Sequence, residues 1–393
     1  MFASNICSVK AEDFASGAPG DLVINGEGAL AFVPHPLPPV ALQPSFELMS
    51  LISDADVALA RLDGIARSLD DPEILVRPFV RREALDSSRI EGTQTTYSQL
   101  VLFEAASEAR KNEAAEDTRF VAAYVTALNY GLARCRDLPI SRRLISEVHA
   151  ELMRGSNARP GRFRDGDVAI GRRNVSTREA RFVPPPARYI DDLFSDLEKF
   201  LHTDNALPLL VRAGLVHYQF ETIHPFWDGN GRLGRLLISL MLCAEQRLLR
   251  PVLYLSGYFE NNRDEYYDSL LSVSKVGSWN QWLSFFCRAV RTQSEDGFRR
   301  IHDLRDLRDH YKSLILQRKR SSASLMRLLD IVMDRTIASV PMIREQVDIS
   351  PPSAKDLITR FIELGILIPF PTPGLGSTQY YMAPKVLDIL NRP

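Results

Sequence analysis

The stretch Glu221–Arg235, ETIHPFWDGNGRLGR, decides how the rest of this 393-residue chain is read. Upstream, Leu209–Phe220 repeats its apolar residues at helical spacing. Downstream, LGRLLISLML (Leu233–Leu242) is mostly apolar and predicts a buried helix. Between them Gly229 and Gly231 flank Asn230, at the point where the second helix begins. A turn of this kind aims successive backbone N–H groups outward, and the helix start adds partial positive charge. Together these make a cradle for an anion such as a polyphosphate. Arg232 and Arg235 lie three apart on the first turn, so both guanidinium groups reach the same anion. Asp228 is a hard oxygen ligand beside the cradle and suits Mg2+ bridging phosphate oxygens. His224 is the one group here whose ordinary pKa suits taking a proton near neutral pH. A base, a metal ligand, a phosphate cradle and an arginine clamp within twelve residues suggest a phosphoryl- or nucleotidyl-transfer site. Singly, each has a plainer reading: a helix cap, a turn, solvated charges. Their joint spacing argues for the site.

Composition sets the frame for that site. Lys plus Arg number 48 and Asp plus Glu 49, a formal charge of −1. This argues against a chain coated in positive charge for nucleic acid. Apolar residues at 45% and charged residues at 25% are ordinary globular values. No run approaches 18 apolar residues, so no membrane span is expected. The first residues, MFASNICSVKAEDF, lack a basic stretch followed by an apolar one, so a cytoplasmic protein is expected. Cys7, Cys135, Cys243 and Cys287 are far apart, which is neither a zinc ribbon nor a disulfide framework.

Along the chain, residues 15–40 are rich in Gly and Pro and read as an extended coil. Helical spacing recurs over 45–68, 76–90, 97–109, 115–135, 140–154, 187–202, 207–222, 232–247, 263–275 and 279–317. Strand signals are sparse. Val168–Ile170 and Ala180–Val183 lie on either side of a polar, Gly-containing tip and predict a hairpin over 164–183. The last seventy residues form a separate pattern. Helices are expected at Ser321–Met333, Pro341–Val347 and Ser350–Leu364, followed by a hairpin in LIPFPTPGLGSTQYYMAP. Three short helices and a hairpin are the pattern of a winged helix-turn-helix, or of a small bundle with a terminal hairpin. On Ser350–Leu364 only Lys355 and Arg360 supply positive charge, so an interaction module is favoured over DNA binding.

His224 to Arg235 resembles the signature of the Fic (filamentation induced by cAMP) family, HPFx(D/E)GNGRxxR, with every invariant position filled. The resemblance covers roughly Ser45–Val290. It implies a mainly α fold, a Fic-type helical bundle with a β-hairpin flap over the site. It also implies an adenylyltransferase that moves AMP from ATP to a Tyr, Thr or Ser hydroxyl of a target protein, with Mg2+, releasing pyrophosphate. His224 would be the base and Asp228 the metal ligand. Backbone amides of Gly229, Asn230 and Gly231, the Asn230 side chain and Arg232 would hold phosphates, and Arg235 would clamp the γ-phosphate. Tyr267, in NRDEYY (Asn262–Tyr267), would border the adenine; Ser274 stands where some relatives have asparagine. The 164–183 hairpin would be the flap, on which a target's extended segment docks by strand addition.

Further upstream, Ser87-Ser88-Arg89-Ile90-Glu91-Gly92 resembles the family's inhibitory motif, (S/T)xxxE(G/N), in the class with an N-terminal inhibitory helix. A carboxylate there can pair bidentately with Arg235 and take the group meant for the γ-phosphate. Gly92 also reads as a simple helix stop. The expected divisions are a lead-in at 1–44, a helical region with the inhibitory helix at 45–135, a catalytic core at 136–318 and a winged-helix-like domain at 319–393. Self-modification and a homodimer are further expectations. The alternatives are a sensor or transcriptional regulator acting through the C-terminal module, transfer of another phosphate-containing group, and removal of AMP.

Overall fold

The computed structural model describes residues 10–40, 42–69, 71–106, 114–171, 180–203, 206–317, 323–371 and 378–392. Several helices begin where a hydroxyl side chain caps them. Ser45 accepts from the Leu48 N–H (3.1 Å) to open α1 (Phe46–Arg67). Pro72 starts α2 (Pro72–Ile90), and Thr96 with Gln99 forms a capping box for α3 (Tyr97–Ala105). Then come α4 (Glu116–Arg134), α5 (Arg142–Leu152), α6 (Ile190–His202), α7 (Leu209–Ile223) and α8 (Asn230–Ala244). α9 (Ser256–Asn261), α10 (Arg263–Val276) and the long α11 (Trp279–Leu316) complete the main body. Both α7 and α8 are buried on nearly every side, as their apolar runs require, and they form the centre of the bundle. The loop between them is His224–Gly229.

The N-terminal lead-in departs from the expected coil. Gly20–Ile24 and Leu30–Pro34 form an antiparallel hairpin, β1 and β2, with Gly20 opposite Pro34 and Ile24 opposite Leu30. Asn25 Oδ1 accepts from the N–H groups of Glu27 (3.0 Å) and Ala29 (2.8 Å) and so closes the turn. The hairpin docks on the flap: Phe32 N–H donates to Val183 O (3.0 Å), and Ala31 is buried with Ala180 and Val183. Of the flap itself, residues 172–179, the expected tip, lie outside the described residues. Its described arms meet in an antiparallel bridge between Ile170 and Phe182.

The C-terminal module runs α12 (Ala323–Arg335), β3 (Ile337–Ser339), α13 (Val340–Val347), α14 (Pro351–Glu363), β4 (Ile368–Phe370), β5 (Tyr380–Met382) and α15 (Pro384–Asn391). β5 lies between β3 and β4, antiparallel to both. The expected helices and hairpin arms are therefore present, with β3 and α15 in addition. The hairpin turn at 372–377, the helix ends expected at 107–109 and at 321–322, and Cys7 lie outside the described residues. The module is tied to α2: Arg81 donates to Asp334 O (2.6 Å) and Oδ1 (3.1 Å), and Arg77 pairs with the same carboxylate (3.0 Å). Among the described residues no helix is long and apolar enough to cross a membrane.

Candidate active site

α7 stops at His224, which takes the left-handed conformation (φ 51°, ψ 60°) before Pro225. The His224 Nδ1–H points to Glu221 O (3.3 Å), which leaves Nε2 as the ring's proton acceptor. Burial pushes the His224 pKa down to about 4, with Arg164 adding to the effect, so the ring is neutral at pH 7. Asn230 spans the loop: Oδ1 accepts from Phe226 N–H and Nδ2 donates to Phe226 O, both at 2.9 Å. These bonds close the loop and use one of the two N–H groups on Nδ2. Gly229 stands at φ 79°, and a side chain there would run into Met153 Sδ at 2.7 Å. Its N–H donates to Asp228 Oδ1 (2.6 Å), which takes one of the three expected amides. The rest of the first turn of α8 has the open N–H groups of any helix start.

Two buried arginines lie under this loop. Arg232 touches Met153 Sδ (3.3 Å) and lies over the Phe120 ring at 5.4 Å. Its Nε has no hydrogen-bond partner among the described residues. Burial holds its pKa below the ordinary arginine value. A buried guanidinium with a spare donor beside a helix start is what an incoming phosphate would complete. Arg235 is already engaged. Nε donates to Ser87 Oγ (2.9 Å), and Nη2 to Ser87 O (2.9 Å) and Glu91 Oε1 (2.7 Å). The side chains of Arg235 and Glu91 are 1% and 38% exposed. Burial opposes the Glu91 charge, but Arg235 outweighs it and holds the carboxyl below its ordinary pKa. The Glu91 carboxylate also lies where a Cβ on Gly231 would go, so it covers the helix start as well as the clamp.

The expected residues thus converge from three elements: Ser87 and Glu91 at the end of α2, His224 to Arg235 in the loop and α8, and Tyr267 on α10. Tyr267 is half-buried near Glu91 and Arg235, and burial pushes its pKa up to about 12. Ser274, two turns on, is buried against the Tyr218 hydroxyl (2.9 Å). Sequence reasoning missed three groups. His149 is fully buried, stacked on Phe226 at 3.7 Å. It accepts from Gly161 N–H and donates to Asp228 O, both at 2.9 Å, and so braces the loop from behind. Glu221 is packed against α8 at Gly234, with Oε1 unpartnered among the described residues and its pKa pushed up by burial to about 7. Arg164 lies against the backbone of His224 itself. Each acts on the loop from far along the chain or from a helix face that no motif marks.

For a divalent ion the loop offers the Asp228 carboxylate. Asp228 is 67% exposed at the loop, and among the described residues no group of three or more His, Cys, Asp or Glu could cage a metal. This donor set fits Mg2+ carried on a nucleotide's phosphates, which keeps waters and takes one or two carboxylates.

A neutral histidine at a helix end, followed by an arginine-floored loop and covered by a carboxylate from a second helix, lies at the centre of this helical bundle. Residues 49–133 match the Fic/DOC family N-terminal region and residues 139–242 the Fic/DOC family domain; the chain belongs to that family. A stretch of 131 residues is 30% identical to a probable protein adenylyltransferase of Aquifex aeolicus, covering 33% of this chain and 36% of the relative. Another of 163 residues is 31% identical to a protein adenylyltransferase of Caenorhabditis elegans, covering 40% and 27%. The chain therefore spans only 36% and 27% of the length of these two relatives. A Fic family protein from Desulfovibrio desulfuricans has the same fold, with a TM-score of 0.52 at 20% identity over 87% of this chain and 98% of that one.

Proposed function

We propose that this protein transfers AMP from ATP to a hydroxyl side chain of a target protein and is held back by Glu91. The observation that carries the reading is the Arg235 clamp, built into the floor of the loop and filled by a carboxylate from α2 (2.7 Å). In the proposed reaction the target hydroxyl gives its proton to His224 Nε2 as its oxygen bonds to the α-phosphorus. The bond from that phosphorus to the bridging oxygen breaks, and pyrophosphate leaves with the electron pair. Arg232 and the first turn of α8 hold phosphate oxygens, and Arg235 holds the terminal phosphate once Glu91 is displaced. Asp228 would hold Mg2+, whose charge neutralises phosphate oxygens when bound. Tyr267 borders the base, and the flap arms present an edge to the target's extended segment.

The test is incubation of the purified protein with ATP labelled on the α-phosphate, with and without a cell lysate. Labelled protein bands are expected. His224→Ala should lose transfer by about two to four orders of magnitude while still binding ATP. A His224→Ala protein with near-parent transfer would overturn the assignment.

A further inference from the structure

Arg164 lies between α5 and the flap, and its residue is 3% exposed. Among the described residues every hydrogen bond from its guanidinium goes to a backbone carbonyl. Nε donates to His224 O (2.8 Å), Nη1 to Gly166 O (2.8 Å), and Nη2 to Pro185 O (2.6 Å) and Ile223 O (3.3 Å). Its own N–H donates to Pro225 O (2.8 Å). Among the described residues no carboxylate bonds to it; the charge of Asp167 acts on it from a distance. Burial pulls its pKa down to about 10, so the cation persists at neutral pH.

The carbonyls fall into two sets. Those of Ile223, His224 and Pro225 follow one another at the end of α7, where a helix leaves its carbonyls without partners and a cation meets the negative end of the helix dipole. They also carry the left-handed backbone of His224, which an L side chain adopts only when its surroundings impose it. The other two belong to the roots of the flap, Gly166 before Ile170 and Pro185 after Phe182. One buried guanidinium thus joins the base to both arms of the flap.

We propose that Arg164 is a positioning residue: it holds the His224 backbone, and through it the imidazole, in register with the flap on which the acceptor docks. The proposal rests on His224 being the base. Its charge has a second effect. The groups acting on the His224 ring are Arg164, which disfavours a second proton, and Glu91 of α2, Asp228 of the loop and the Glu221 carbonyl, which favour one. Removing the cation therefore raises the pH at which the ring takes up its second proton.

The test compares Arg164→Gln, which loses the charge, with Arg164→Lys, which keeps a charge but not the planar fork. Both are made in the full chain carrying Glu91→Gly, and melting temperature is recorded for each. The His224 ring is titrated by NMR, its signal identified by loss in His224→Gln. In Arg164→Gln the titration should move up by about one pH unit. Transfer at saturating ATP should fall at least about tenfold, with the KM for ATP within about twofold of the parent. In Arg164→Lys the titration should stay near the parent while transfer falls, because the fork no longer fits the carbonyls. A purely structural arginine would lower melting and leave the His224 titration where it was; that result overturns the proposal. If Arg164→Gln does not fold, parent-level transfer in Arg164→Lys overturns it. Should His224→Ala itself retain transfer, the base assignment fails, and the titration still decides what Arg164 does to the ring.

Discussion

Replacing Glu91 by Gly should make the protein more active, the opposite of what most substitutions near a reaction centre do. In the structure one carboxylate oxygen is 2.7 Å from Arg235 Nη2, and the same carboxylate fills the space above Gly231. A charge-assisted hydrogen bond is worth about 1.5–3 kcal/mol. With 38% of the Glu91 side chain open to solvent, screening draws this pair to the low end of that range, about tenfold in the availability of Arg235. The clamp itself survives the change, since Ser87 still accepts from Arg235 Nε (2.9 Å) and Nη2 (2.9 Å). Glu91 is also the C-cap of α2, where glycine is tolerated, so little helix stability is lost. The assay compares AMP transfer by the parent, Glu91→Gly, Arg235→Ala and the double variant across a range of ATP concentrations. Glu91→Gly should exceed the parent about tenfold, Arg235→Ala should fall below it, and the double variant should do no better than Arg235→Ala. A Glu91→Gly protein no more active than the parent would reduce Glu91 to a helix-end residue.

Other outcomes follow from the same geometry. Asp228→Ala should weaken Mg2+-dependent turnover far more than nucleotide binding, and parent activity that needs no divalent ion would refute that role. Asn230→Ala leaves the Phe226 N–H and C=O without partners in a buried loop, a cost of about 1–3 kcal/mol for each group, and should lower the melting temperature by several degrees. His149, His217 and His224 have pKa values near 4, 3 and 4 in the fold against 6.5 unfolded, so below 6.5 the unfolded chain binds more protons and stability falls with acid. Glu83 and Glu221, pushed up by burial to about 7 from 4.5, act in the opposite sense between those values. Urea midpoints should therefore vary little from pH 5 to 6.5 and drop between 4.5 and 3; a slope equally steep in both intervals would contradict this.

How much of this was legible in the sequence depends on distance along the chain. His224 to Arg235 act within one loop and one helical turn, so spacing alone located them. Glu91 needed a resemblance, because nothing in residues 87–92 by themselves points to a partner 144 positions away. His149 and Arg164 were invisible for the same reason, reaching the loop across 79 and 60 positions through backbone carbonyls that any sequence would supply. The β1–β2 hairpin was lost among prolines and glycines, although Asn25-Gly26 is a turn signal; its strands are held by the flap, which no local pattern reveals. β3, three residues long, is too short to show an alternation and exists because β5 pairs with it.

The ion pair at Arg235 also has a direction in time. Chains are made from the N-terminus. Residue 91 leaves the ribosome long before residue 235, so the sequence of α2 is made before that of α8. When the loop closes against α2, Ser87 and Glu91 both meet the arginine. Asp334, which secures α2 from the other side through Arg77 and Arg81, arrives last. In this order the nascent chain holds the carboxylate before it holds the arginine that pairs with it.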